Sequence, residues 1–591
     1  MARNNLTASI RQKKADYERE IINKSRTSPK ILYSYINNQK KTQPLTCLKT
    51  QRGLINDDIL ISEELSTFFQ SVFTPSTAST QAKQDFNDVN FDPFFSVSDV
   101  LNCLKALKTN TSPGPDLIHP FLLKNCATSI AKPLYLIFCI SLRTGTFPSI
   151  WKDAHVTPIH KGGSITSIEN YRPICILSSL SKVFEKIISK FLKDYLLDQN
   201  FIHHSQHGFV KGKSCLTNLL TAVNDWSSAV DKRQACDIIY LDFKKAFDTV
   251  DHSVLITKLQ QLNLPNFLIH WFSSYLSNRR FRVSVRGAFS KWAHSTSGVP
   301  QGSVLGPLLF NIFINDLPSH LLHSYCLLFA DDLKLYRIVS NDSDRIALQS
   351  DLDAIALWAN KNHMAFNISK SAVLHIGSNN LNYQYYLNSQ PIPCKESVRD
   401  LGVIVDNKLK FHSQSAVAAK KAISAANYIF KSFSFLNCSL FCSLYKVFVR
   451  PHCIQAWQPH FKKSMDILEK TQRKITKWCP GLQQLSYENR LKALDLPTLT
   501  NRFKRGDLIE TFKLLTNYYN ISPDVFFTLS TDNRTRGHSL KLLGCRYFTD
   551  TRKFFFSNRV IEPWNNLPNS LVTSSSINIW KAQYSALFPN N

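Results

Sequence analysis

No stretch of this 591-residue chain is apolar for long enough to cross a bilayer. The longest run, around Leu134 to Leu142, falls well short of the ~20 residues a spanning helix needs, so no membrane partner is expected. The 14 cysteines form no CxxC pair and keep no regular spacing, which excludes a disulfide-stapled module and points to a reducing, intracellular compartment. Met1-Ala2-Arg3-Asn4 leads into a charged segment, not an apolar signal core. No internal repeat is visible, so a repeat array is excluded.

Acid is the scarce charge. There are 43 Asp and Glu residues against 71 Lys and Arg, a formal net charge of +28. An excess spread over the whole chain points to a polyphosphate partner such as a nucleic-acid backbone. With 43% hydrophobic and 12% aromatic residues the chain has the apolar surface to fold, and its length exceeds the ~250–300 residues at which one core stops growing.

Residues 1–94 read as a helical connector and loop. Tyr17, Ile21 and Ile22, then Ile31, Leu32, Tyr35 and Ile36, suggest short amphipathic helices, and the polar stretch from Pro75 to about Pro93 suggests an exposed loop. The clearest helix is Leu180 to Leu197, with Leu180, Val183, Phe184, Ile187, Ile188 and Leu192 at helical spacing and Lys182, Lys186, Lys190 and Lys193 opposite. Strands are expected at Asp237 to Phe243 and Tyr325 to Arg337, and helices at Ala416 to Phe433 and Met465 to Trp478.

Ile238-Ile239-Tyr240-Leu241-Asp242 places a carboxylate at the end of an apolar strand, where an unpaired charge is costly. Leu327-Leu328-Phe329-Ala330-Asp331-Asp332-Leu333-Lys334 is apolar on both flanks of two adjacent acids and reads as a hairpin with those acids at its tip. Three converging carboxylates would select a hard cation, and two Mg²⁺ ions about 3.5–4 Å apart can activate a 3′-hydroxyl and stabilise a leaving pyrophosphate. An Asp-Asp pair alone also fits a plain turn.

The order of further motifs decides between these readings. Ser112-Pro113-Gly114-Pro115-Asp116 is followed by Trp151-Lys152-Asp153-Ala154-His155-Val156-Thr157-Pro158-Ile159-His160-Lys161 and Asn170-Tyr171-Arg172-Pro173-Ile174. Then come Gln206-His207-Gly208-Phe209, Leu241-Asp242-Phe243-Lys244-Lys245-Ala246-Phe247-Asp248, Gly298-Val299-Pro300-Gln301-Gly302-Ser303, Phe329-Ala330-Asp331-Asp332 and Leu401-Gly402. In this order, over about residues 95–480, the chain resembles the reverse transcriptases of non-LTR retrotransposons, most closely the jockey-like branch.

That resemblance implies an α+β, right-hand polymerase fold: fingers, a palm with an antiparallel sheet, and a thumb, with mainly helical N- and C-terminal extensions. Fingers and the start of the palm would occupy 95–236, the palm 237–406 within a reverse transcriptase domain of about 140–406, the thumb 407–500 and a C-terminal segment of unknown role 501–591. Asp242, Asp331 and Asp332 would be the catalytic and metal-binding acids, with two Mg²⁺ ions or Mn²⁺ in their place. Lys161 and Arg172 would grip the triphosphate, with Phe243, Gln301 and Gly302 beside the nucleotide. Phe247 would exclude a 2′-hydroxyl sterically, and Lys370 would protonate the leaving group. The implied partners are an RNA template, a DNA primer, the RNA–DNA hybrid and dNTPs. The work would be nuclear with a cytoplasmic phase. Because the residues before 95 read only as a connector, a separately supplied endonuclease is expected. A truncated, inactive copy that only binds nucleic acid is the alternative, and a domesticated enzyme copying another template shares the chemistry.

Arg279, Arg280, Arg282 and Arg286 alternate with Phe281, Val283 and Val285, suggesting a strand with one cationic face on a nucleic-acid backbone, or else a charge-guarded edge strand. The helices after residue 410 would follow the product duplex. Gly208 to Ser214 has three residues between its glycines where a P-loop needs four. His203, His204 and His207, and Cys438, Cys442, His452 and Cys453, lack paired zinc spacing.

Overall fold

The computed structural model describes residues 2–25, 28–39, 45–50, 53–74, 87–88, 91–451, 453–530 and 537–588. Its site is built on seven strands: β1 (Asp153–His160), β2 (Tyr171–Ile176), β3 (Ala235–Leu241), β4 (Arg279–Val285), β5 (Tyr325–Phe329), β6 (Asp332–Val339) and β7 (Ala372–Ile376). A four-stranded palm sheet runs β7–β3–β6–β5 with every pair antiparallel. A second sheet, the fingers, runs β2–β1–β4 and continues to the short strand Ala288–Phe289, with Ala293–Ser295 also on β4. Only β1 and β4 are parallel in it, with Asp153 opposite Arg280.

The palm strands read as apolar runs because both faces of the sheet are covered. On one face Ile239 and Leu241 pack with Leu328, Leu333, Leu335 and Val373. The helix α1 (Ser179–Asp198) and the helices Gly306–Ile314 and Asp342–Lys361 join that core, as do the helices Ala127–Arg143 and Asn266–Leu276. On the other, Cys236 and Ile238 join Leu327, Tyr336, Leu374 and Ile376 beneath the helices α2 (Cys215–Asp231), α3 (Leu499–Leu515) and α4 (Ile577–Leu587). That rear core contains Trp226, Phe503, Phe512, Trp564 and Trp580, so the described residues 501–530 and 537–588 seal the back of the palm.

The long helix expected from Leu180 begins at Ser179, because the Ser178 hydroxyl accepts the N–H groups of Leu180 and Ser181. Its apolar stripe is buried as predicted, while Lys190 and Lys193 stay exposed. The expected strands and thumb helices are present at Ala235–Leu241, Tyr325–Phe329 with Asp332–Val339, His412–Lys431 and Lys462–Thr476.

The described parts of residues 1–94 divide among three places, one of them the large core, where Phe91 meets Phe267 and Phe94 meets Phe191. The helices Ala2–Ser25 and Pro29–Gln39 dock on the thumb, where Ile21, Ile22, Leu32 and Ile36 share a core with Ala426, Phe430 and Phe441. Buried Glu18 fixes that contact by accepting from Tyr35 and from the N–H groups of Ser434 and Phe435. The helix Asp58–Gln70 packs instead on the fingers sheet through Ile61, Leu65 and Phe69. Most of the loop expected between Pro75 and Pro93 lies outside the described residues, as does His452.

Candidate active site

Strand register brings the acids together. Leu333 pairs with Leu241, so the next residue outward on each strand sets Asp332 opposite Asp242, with Asp331 in the turn between β5 and β6. Asp242 Oδ2 is buried without a hydrogen-bond partner, and the Lys370 ammonium stands 3.4 Å from it. Burial, reinforced by Asp242, pushes the Asp331 carboxyl up. Lost hydration, then the charges of Asp331, Asp242 and Asp400, raise Asp332 to about 6, although one side of Asp332 remains exposed. This is a set of acids short of positive charge.

Among the described residues, no three His, Cys, Asp or Glu side chains stand close enough to form a ready metal site. Asp242, Asp331 and Asp332, expected as the metal-binding acids, here form a cluster whose members repel one another. Asp242 Oδ2, which accepts no hydrogen bond although the Lys370 ammonium lies 3.4 Å away, fits a divalent ion, since Mg²⁺ is commonly held by one or two carboxylates with water and substrate phosphate completing the shell.

The hairpin tip is tight. Phe329 pairs with Asp332 across a two-residue turn in which Ala330 takes a left-handed φ of 56°. Gln206 secures it, its side-chain oxygen accepting the N–H groups of Ala330 (2.9 Å) and Gly208 (2.7 Å). Segment 205–207 also bonds along the backbone of Leu328, and Asn218 donates to the Leu328 carbonyl. Gly208 has to be glycine: a Cβ there would lie 2.3 Å from the Ala330 nitrogen. The sequence displays Gln206 and Gly208 within a motif, but their role is visible only once the two chain segments meet.

Opposite the acids lie cations. Lys161, at the end of β1, is lowered to about 8 by partial burial and by the charges of Arg172, Lys245 and Lys370, with Asp242 pulling the other way. Burial also lowers Lys245, whose ammonium sits 5.0 Å from the Phe68 ring centre. Sequence reasoning named Lys161, Arg172 and Lys370 but not Lys245, which the turn after Asp242 brings into the group.

The turn from Phe247 to Val250 and the loop from Ser297 to Gly302 hold each other. Val299 N–H donates to the Phe247 carbonyl, Gly298 N–H to that of Val250, and the Ser297 hydroxyl to that of Asp248. Gln301 donates its amide to the buried Asp248 carboxylate at 2.7 Å, and its carbonyl accepts from Cys175. Gly302, at φ 116°, allows the loop against β2, where a Cβ would meet the Cys175 carbonyl at 2.6 Å. Buried Glu185 of α1 accepts the N–H groups of Val304 and Leu305 and so fixes the far side of the loop. Phe247 stacks on Phe310 at 4.5 Å and meets Phe209 edge-on at 6.5 Å.

Burial lifts Asp248 to about 6, with Gln301 and Lys245 opposing. A raised carboxyl leaves stability intact below about pH 4 and removes it progressively as pH climbs to about 6, after which the cost is constant. Asp248→Asn should therefore gain stability over the parent across that window, by roughly 3 kcal/mol at neutral pH. Denaturant unfolding of both proteins from pH 4 to 8 measures the difference.

Two expectations are corrected. Phe243 was expected beside the nucleotide, but its ring is sealed in the core, stacked on Phe366 at 4.3 Å, with no face open to a ligand. The four arginines, three on β4 and Arg286 just past its end, share no single cationic face. Arg279 is buried on the opposite side and donates to the Tyr275 carbonyl. Arg280 makes a two-point pair with Asp153 (3.0 and 2.8 Å), Arg282 donates to His155 and covers Phe289 at 4.2 Å, and Arg286 pairs with Asp58. Alternation along the strand sends successive side chains to opposite faces, and Asp153, His155 and Asp58 take up Arg280, Arg282 and Arg286. His207, buried against Thr217 and pushed down to about 2 chiefly by that burial, is structural.

An antiparallel palm sheet carrying acids at a hairpin tip, faced by fingers cations, defines a right-hand nucleotidyltransferase domain. Residues 159–405 match the family described as Reverse transcriptase (RNA-dependent DNA polymerase). The chain thus carries a reverse transcriptase domain and is related to the RNA-directed DNA polymerases of non-LTR retrotransposons. The Drosophila melanogaster "Probable RNA-directed DNA polymerase from transposon BS" is 35% identical over 46% of this chain and 31% of its own length. Its counterpart "from transposon X-element" is 30% identical over 65% of this chain and 44% of its own. The "RNA-directed DNA polymerase from mobile element jockey" of the same fly is 31% identical over 53% and 35%. The matched part thus spans less than half of each relative. Apo telomerase from Candida tropicalis aligns with a TM-score of 0.35 at 11% identity over 62% of this chain and 64% of that one, too loosely to argue from.

Proposed function

We propose that this protein extends a DNA primer 3′-hydroxyl with deoxynucleotides on an RNA template, in the nucleus after a cytoplasmic phase. The observation that carries the reading is the Asp242 oxygen that accepts no hydrogen bond, within an acid cluster faced by Lys161, Arg172, Lys245 and Lys370. The names of the relatives and the +28 net charge support it.

Asp242 and Asp331, with Asp332 adjoining, would hold Mg²⁺, which when bound supplies charge for the attacking and leaving oxygens. Lys161, Arg172 and Lys245 bind and orient the triphosphate, spreading positive charge over its oxygens as negative charge builds up on the leaving group. Lys370, beside Asp242, carries a proton within reach of that group. Gln301, held by Asp248, and Gly302 shape the nucleotide's bed. Phe247, braced on Phe310, sits where a ring closes the space a 2′-hydroxyl would need.

Mg²⁺-dependent extension of a DNA primer on an RNA template with all four dNTPs tests the reading. A folded protein that binds the primed template and adds nothing would be an inactive nucleic-acid-binding copy. In an active protein, Phe247→Ala should raise ribonucleotide use relative to deoxynucleotide use by about 10–100-fold, read from the ratio of kcat/KM values. An unchanged ratio would remove Phe247 from nucleotide selection.

A further inference from the structure

A basic cavity opens where the end of the thumb meets the C-terminal helices, lined by Arg450, Arg502, Arg505, Ile509, Cys453 and Lys581. Arg450 follows a π-helical turn, Tyr445–Val449. Arg502 and Arg505 lie one helical turn apart on α3, and Lys581 lies exposed on α4. None of these residues belongs to the acid cluster or to the cations facing it.

The arginines have donors to spare. Arg450 Nε and Nη2, Arg502 Nη1 and Arg505 Nε are buried without hydrogen-bond partners. Arg505 keeps its place through Nη2, which donates to the Ser585 hydroxyl at 2.9 Å, and through the Tyr584 ring at 5.7 Å. Acids nearby in the chain are engaged elsewhere: Asp495 with Lys446, Asp507 with Arg559, and Glu510 with Lys513 and Tyr519. Among the described residues no carboxylate pairs with any of the four cations.

Burial, then the charge of Arg450, lowers Arg502 to about 10, and burial lowers Arg450 with Arg505 adding to the effect. Buried cations without a counter-charge are strongly destabilising, and planar guanidinium donors around a cavity are the arrangement that phosphate oxygens satisfy. We propose that Arg450, Arg502 and Arg505, with Lys581 at the mouth, form a binding site for a phosphate group. Its source is either the backbone of a bound nucleic acid or a free phosphate anion, and the site does not depend on the polymerase reading.

The test uses the full chain, with Arg502→Gln and the exposed-position variant Lys581→Gln beside it, in two arms. In the first, melting is followed against inorganic phosphate and pyrophosphate at constant ionic strength. A free-anion site raises the parent's melting temperature with the logarithm of concentration, and Arg502→Gln loses that rise. In the second, binding of an RNA–DNA hybrid is measured against salt without Mg²⁺ or dNTPs. A backbone phosphate in the cavity makes the slope of log K against log salt shallower by about one in each variant. Separation from the parent in either arm supports the site and names its source; equality in both overturns it. Should Arg502→Gln fail to fold, Arg505→Gln and Lys581→Gln carry the same comparison. Because neither arm reads synthesis, an inactive polymerase centre would leave the result interpretable.

Discussion

Asp242→Asn should yield a folded protein that binds primed template with the parent's salt dependence and extends it at least about 1,000-fold more slowly. The substitution keeps the side chain's shape and removes the charge from a buried acid oxygen that accepts no hydrogen bond and has the Lys370 ammonium 3.4 Å away. A carboxylate held in that position contributes to the chemical step more than to folding, and a metal-charge contribution of several kcal/mol corresponds to that loss of rate. Stability should rise slightly, because Asp331 and Asp332 lose a repelling neighbour. Single-turnover extension, hybrid binding and thermal melting separate the three effects. Retained synthesis would remove Asp242 from the centre.

The second large effect is expected one layer out. Gln206 touches neither acid, yet its single side-chain oxygen satisfies two buried N–H groups, one of them in the left-handed Ala330 that aims the hairpin tip. Gln206→Ala leaves both without a partner, at about 1–3 kcal/mol each. The turn should relax toward ordinary backbone angles, carrying Asp331 away from Asp242. A fall in kcat of roughly 100-fold with little change in the KM for dNTP is the outcome expected of a positioning residue. A change in KM alone would place Gln206 in nucleotide binding instead.

These two residues show where sequence reasoning works and where it stops. Asp242 and the Asp331-Asp332 pair are legible because an acid inside an apolar strand contradicts its surroundings, and such contradictions mark function. Helix Ser179–Asp198 is legible because burial imposes a period of 3.6 on it, and the strands Ala235–Leu241 and Tyr325–Phe329 because a sheet covered on both faces leaves near-continuous apolar runs. Gln206 is not, since its meaning lies in an oxygen shared with Ala330, 124 residues away. Glu185 hides similarly, an acid in a helix whose partners are backbone N–H groups of a distant loop.

The corrected residues failed for a related reason. Phe243 and Phe247 lie in the same turn-bearing segment, and only the packing of Phe243 on Phe366 shows which ring the core takes. The β4 arginines and Arg286 alternate correctly, but their acid partners, Asp153 and Asp58, are contributed by other elements. Charge read along one strand does not say who neutralises it.

The rear core of the palm sets a timetable for synthesis. Trp226 and Ile238 emerge from the ribosome long before Trp564, Trp580 and Tyr584, which close over them. At about 5–20 residues per second, the interval from residue 340, by which both strands of the acid hairpin exist, to residue 584 lasts roughly 12–50 s. Through most of that time the rear face of the sheet carries α2 but still lacks α3 and α4, so a message cut short near residue 500 should leave part of that apolar surface exposed and yield a chain prone to aggregate.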